Sequence, residues 1–132
     1  MKYILDTNIC IYLLNKNDKV VSKVASADAG DLAISCFNLA ELLYGAYNSQ
    51  YVSSNLERVR FLESRVTVLD FDRRAMNIYA ESKAMLKKAG SLIDDFDILI
   101  AAVAISNNLI LVTNNEKHFA RIPDIQIENW LK

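Results

Sequence analysis

Residues 3–14 read YILDTNICIYLL, a run in which one charged side chain, Asp6, stands among apolar and neutral residues. The apolar residues leading to Leu5 do not alternate with polar ones, which is the pattern of a strand buried on both faces of a parallel sheet. Beyond Asp6, Ile9, Tyr12 and Leu13 fall on one face at helical spacing, so strand gives way to helix at the carboxylate. A carboxylate at that junction is either a strand-end or helix-entry residue beside Thr7, or a functional group delivered by a buried strand.

The same alternation continues outward. Lys2 to Leu5 is the first predicted strand, and an amphipathic helix over Lys19 to Ala27 follows the one just described. Asp28-Ala-Gly-Asp31 is turn chemistry, after which Leu32 to Ser35 is a second strand. Ser35 is placed to start a helix over Phe37 to Tyr47. A further helix is predicted over Tyr51 to Ser64, with Leu56, Val59, Arg60 and Glu63 at helical spacing, and a third strand over Val66 to Leu69. The amphipathic stretch Asp72 to Lys88 closes at Gly90, a good helix stop. Asp94 to Ile105 is apolar nearly all round and therefore a buried helix, ended by Asn107-Asn108. Leu109 to Thr113 is a fourth strand, and Ile125 to Ile127, beyond Pro123, a possible fifth. Strands alternating with helices imply an α/β fold, a three-layer α/β/α sandwich around a parallel sheet of four to five strands, as a single domain over residues 1–132.

Bulk properties exclude several classes. With 52% apolar against 23% charged residues, 3 Gly and 1 Pro, a compact fold is favoured over disorder. The longest apolar run, Ile98 to Ile105, is far short of the roughly 20 residues of a membrane span, and no basic signal segment opens the chain. A cytoplasmic protein without a membrane partner is expected. Cys10 and Cys36 lie in apolar runs without CxxC or Cys/His spacing, which favours buried reduced thiols over a disulfide or zinc site. The net charge of -1 and pI near 5.8 lack the basic footprint of a protein that holds nucleic acid by phosphate neutralisation alone.

In a parallel sheet, ligands bind outside the carboxyl ends of the strands. Asp6 follows the first strand, Glu41 lies on the helix after the second, Asp97 opens the buried helix, and Asn114, Asn115 and Glu116 follow the fourth strand. No GxGxxG or GxxxxGK[ST] loop accompanies them. Two charges about 4 Å apart at an effective dielectric near 20 interact by on the order of 4 kcal/mol, so crowded carboxylates call for a cation. Mg²⁺ suits one or two carboxylates plus substrate phosphate, and Mn²⁺ suits the same oxygens. The chemistry this supports is attack by an activated water on a phosphodiester. With His118 the only histidine, there is little material for a histidine-based mechanism.

Taken singly, each residue has a plainer reading. Glu41 lies among Leu39, Ala40, Leu42 and Leu43 and could be a helix-surface residue; Asp94 could cap a helix whose positive end Asp97 faces; Asp95 could be solvated. Asn114 and Asn115 could be turn residues, and His118 a packed or surface histidine. The set is stronger than its members because the topology sends them to one edge.

LDTN at 5–8, AEL at 40–42, DILIAA at 97–102 and VTNNEKHFARI at 112–122 occur in order over nearly the whole chain, and together they resemble the PIN domain, specifically VapC-like toxin ribonucleases. The resemblance implies a Mg²⁺-dependent endoribonuclease acting on tRNA or another structured RNA. It also implies a homodimer, neutralised in a hetero-oligomer by a small VapB-like antitoxin whose tail enters near the active site. Carried over, Asp6 and Asp97 are metal ligands and Glu41 the third acid, with Asn115 at the family's fourth acidic position. That departure leaves one carboxylate fewer and puts a second tightly held metal in question. Asn115 can still orient water or phosphate, Glu116 is a weaker substitute, and Thr113 would position the loop.

Lys83, Lys87, Lys88, Lys117 and Arg121 are candidate phosphate contacts, although a solvated helix face explains the lysines equally. Tyr44, Tyr47 and Tyr51 could form an antitoxin groove or dimer surface, with core packing the default expectation. Two other classes compete. A catalytically silent PIN module would bind RNA or protein, against which the retention of three acids argues. A receiver-like signalling domain would need an acidic neighbour for Asp6, an Asp after the third strand, which only Asp70 or Asp72 roughly supplies, and a Lys after the fifth.

Overall fold

A computed structural model describes residues 1–132. Five strands form one parallel sheet: β1 (Tyr3–Leu5), β2 (Leu32–Ser35), β3 (Thr67–Leu69), β4 (Ile110–Val112) and β5 (Gln126–Glu128). Their order is β3-β2-β1-β4-β5, so the chain builds outward from β1 and then returns to its other side. The reversal opens a crevice between the carboxyl ends of β1 and β4, where open α/β sheets bind ligands.

Seven helices cover the sheet: α1 (Thr7–Leu14), α2 (Asp18–Ser26), α3 (Cys36–Tyr47), α4 (Val52–Arg65), α5 (Arg73–Lys88), α6 (Asp95–Ser106) and α7 (Glu116–Phe119). A 3₁₀ turn at Ala29–Asp31 precedes β2. Successive strand residues point to opposite faces. Ile4, Ala33 and Leu111 thus join the α5 and α6 side with Phe119, while Leu5, Ile34 and Val112 join Ile9, Leu42, Val59 and Leu62 of α1, α3 and α4. These two cores are the expected three layers, and they explain why the strands read as continuous apolar runs.

Helix ends follow local chemistry. Asn17, Ser35, Asp72 and Asp94 cap α2, α3, α5 and α6 through side-chain oxygens. After α5, Gly90 takes φ 69°, and the Gly90 and Ser91 N–H groups donate to Lys87 and Leu86 carbonyls at 3.1 and 2.8 Å. Asn108, at φ 55°, closes α6 by the same pair of bonds. The predicted elements are present, β2 with the expected bounds, β1, β3 and β5 with bounds differing by one residue, and β4 trimmed at both ends.

Three expectations need correction. Tyr44, Tyr47 and Tyr51 are not core: they are 67%, 62% and 68% exposed, the first two because α3 turns Leu42 and Ala46 inward instead, and Tyr51 at the entry to α4. Cys10 is buried and its thiol is pushed up by that burial, but Cys36 at the start of α3 is only partly buried. The short helix α7 was not anticipated from the turn-like residues after β4.

Candidate active site

Asp6 ends β1 and caps α1, with its own N–H donating to the Val112 carbonyl of β4 at 2.9 Å. It is 6% exposed, and both carboxylate oxygens are engaged: Oδ1 accepts from Thr7 N at 2.8 Å, and Oδ2 accepts from Thr113 Oγ1 at 2.8 Å. Burial raises its pKa, and the two hydrogen bonds offset part of that rise. Thr113 Oγ1 also accepts the Asn115 N–H at 2.9 Å, so one buried hydroxyl ties the β4 loop to the β1 carboxylate.

Glu41 projects from α3 as a half-buried residue whose Oε1 accepts from Thr7 Oγ1 at 2.6 Å. Asp97 stands in the first turn of α6, with Asp94 as that helix's cap. Its pKa is pushed up to about 6, first by burial, then by the negative charges of Asp6 and Asp94, against a partial opposing pull from His118. Asp97 thus lies within reach of the Asp6 charge. His118 Nδ1 lies 3.7 Å from Asp97 Oδ2 and 2.8 Å from Asn115 Nδ2, so α7 links the fourth position to the α6 acid.

No trio of His, Cys, Asp or Glu closes to metal-ligating spacing; Asp6 and Glu41 accept from neighbouring donors, and Asp97 stands 3.7 Å from His118. The donor set nevertheless fits a hard divalent cation. Three carboxylates from three elements stand at one edge, none pairs with a lysine or arginine, and the pKa of Asp97 is raised first by burial and then by the charges of Asp6 and Asp94.

The other predicted residues stand elsewhere. Asp95 pairs with Lys83 at 2.8 Å and accepts from Tyr79 at 3.1 Å, which ties up Lys83 as a phosphate contact. Glu116 pairs with Lys132 at 2.8 Å and accepts from Asn129, so it is not a spare ligand in the crevice. Asn114 is exposed and accepts from Asn129 at 3.2 Å. Lys87, Lys88, Lys117 and Arg121 are exposed. Sequence reasoning passed over the side chain of Asn38 and gave Thr7 no role, although Ser35, Asn38 and Glu41 recur every three residues along α3.

The family model for the PIN domain matches residues 3–125. The chain is 39% identical over 131 residues to ribonuclease VapC2 of Haemophilus influenzae, covering 99% of both chains. It is 37% identical over 130 residues to the tRNA(fMet)-specific endonuclease VapC of Shigella flexneri, covering 98% of each. Among solved structures, DNA-bound VapBC from Salmonella typhimurium aligns with TM-score 0.94 at 37% identity over 98% of each chain. VapBC2 from Rickettsia felis, bound to a promoter DNA fragment, aligns with TM-score 0.89 at 39% identity over 98% of this chain and 99% of that one.

Proposed function

The chain belongs to the PIN-domain family, among its VapC ribonucleases, and from that premise we propose a Mg²⁺-dependent endoribonuclease, the toxin of a toxin-antitoxin pair. The receiver-like alternative falls with that membership, and Asp70, its required acid, is exposed after the edge strand β3. The observation that carries the reading is the set Asp6, Glu41 and Asp97 around the β1–β4 crevice, unpaired with lysine or arginine, with Asp97 pushed up to about 6 by burial and then by the charges of Asp6 and Asp94.

Asp6, Asp97 and Glu41 would hold the cation, with Mn²⁺ able to substitute. A divalent ion held there would supply water activation and neutralisation of charge at the phosphodiester. The protein's own groups do the rest. Thr7 and Thr113 keep Asp6 in one orientation, and burial of Asp6 limits competing water. Asn115, beside His118, offers a neutral amide to a water or phosphate where a fourth acid would repel it.

The substrate is a structured RNA, as the tRNA(fMet)-specific relatives suggest. The partner is a small VapB-like antitoxin, as in the VapBC complexes, acting on a toxin homodimer in the cytoplasm. A groove of about 240 Å³ beside the site, lined on its apolar side by Ile11, Leu42 and Val59 and on its polar side by Glu41, Asn55 and Arg58, suits an amphipathic antitoxin segment. The test is purified protein on tRNA with Mg²⁺ or Mn²⁺: cleavage is expected, stops with EDTA, and is lost in Asp6→Asn. Equal cleavage by wild type and Asp6→Asn rejects the metal site.

A further inference from the structure

A chain of hydrogen bonds runs from the interior to Glu41, and chemistry sets its direction at each link. Asn38 is fully buried on α3, between Ser35 and Glu41. Its Oδ1 accepts the Ser35 backbone N–H at 2.8 Å and the Ser35 hydroxyl at 2.7 Å. A backbone N–H only donates, so this side of the amide is the oxygen and the far side is the NH₂. That Nδ2 donates to Thr7 Oγ1 at 3.0 Å. Thr7 Oγ1, accepting there, has one proton to give, and Glu41 Oε1 receives it at 2.6 Å. Thr7 also gives its backbone N–H to Asp6 Oδ1, so one threonine holds two of the three carboxylates.

Helix capping does not account for this arrangement. The capping box of α3 uses only the Asn38 backbone N–H and Oδ1. The amide NH₂ adds a buried donor on the opposite side, and it ends on Thr7.

We propose that Asn38 is a positioning residue for the acidic site: through the Thr7 hydroxyl it engages one oxygen of Glu41 and leaves the other, Oε2, available to the cation the site would hold. The proposal rests on the metal-site reading above. Glu41 is only half-buried, and its long side chain would otherwise be ordered anew with each binding event. The relay orders it during folding.

The test is Mn²⁺ binding by titration calorimetry on the purified protein without RNA, with thermal unfolding to establish that each variant is folded. Asn38→Ser keeps a polar group for the helix cap but is too short to reach Thr7, and Thr7→Val removes the hydroxyl at nearly constant shape. Each is expected to weaken Mn²⁺ by roughly tenfold or more, with Thr7→Ser within about twofold of wild type. Because the two residues act in series, the double variant Asn38→Ser/Thr7→Val should bind no more weakly than Thr7→Val alone. If Asp97→Asn loses Mn²⁺ while Asn38→Ser and Thr7→Val bind like wild type, the relay is rejected and the metal site stands. If Asp97→Asn also binds like wild type, the metal-site reading fails and takes the relay with it. Additive losses in the double variant would likewise overturn the series arrangement.

Discussion

Asp95 and Asp97 are two residues apart on α6, yet the fold gives them opposite environments. Asp95 faces α5, where Lys83 and Tyr79 meet it, and its pKa is lowered, with the bond to Lys83 the main cause. Glu116, on the other flank, is likewise lowered by Lys132 and Asn129. Asp97 faces the crevice, where its neighbours are burial, two further acids and a single histidine, and it is pushed up to about 6. The flanks neutralise their acids with lysine, and the crevice leaves its own without one. The difference teaches that acidity alone does not mark this site; an uncompensated negative field does.

The largest effect that tests this contrast is on catalysis. Asp97→Asn should reduce tRNA cleavage by on the order of 10³-fold, the scale of several kcal/mol of electrostatic stabilisation. Asp95→Asn should leave cleavage essentially unchanged. Comparable losses from the two substitutions would erase the distinction between crevice and flank.

Next is metal-linked stability. At about 100 times its dissociation constant, Mn²⁺ should stabilise the wild type by about 2.7 kcal/mol in urea titrations near neutral pH, and EDTA should remove the gain. Asp97→Asn should show no gain and Asp95→Asn the full gain. Because the cation competes with the Asp97 proton, the gain should fade below about pH 6.

The third effect concerns the metal-free protein and its sign. A carboxyl raised from 3.8 to about 6 means that the folded state binds more protons than the unfolded chain between those values. Stability therefore falls as pH rises through that window and levels off above it. The difference in unfolding free energy between wild type and Asp97→Asn, measured in EDTA from pH 4 to pH 7, should trace this fall. A flat difference would mean that Asp97 titrates as an ordinary surface carboxylate.

The subtlest probe is Asn115→Asp, which adds a carboxylate beside His118 and Asp97. Its Mn²⁺ titration should change in stoichiometry or steepness, and an unchanged curve would place Asn115 outside the metal's reach.

Most of the fold was legible because its signals are local. Strands buried on both faces by the two cores read as unbroken apolar runs, and Ser35, Asp72, Asp94 and Gly90 mark helix ends through their own hydrogen bonds or backbone preference. The exposure of Tyr44 and Tyr47 was not legible, since a helix with aromatic residues on several sides does not announce which side meets the sheet. The short helix α7 was equally hidden in Glu116–Phe119, too brief to show a period.

For the site, the succession of strands and helices put forward Asp6, Glu41 and Asp97 as the acids, and the resemblance to PIN domains marked Asn115 as the departure, because both are carried by motifs along the chain. Tertiary structure decided which charges are compensated. Lys83 is taken by Asp95 and not by a phosphate, Lys132 takes Glu116, and residues 31 and 34 positions apart meet as Asn38, Thr7 and Glu41. Hydrogen bonds and ion pairs act over about 3 Å, a distance that separation in sequence does not encode and that exists only after the two cores have closed around the sheet.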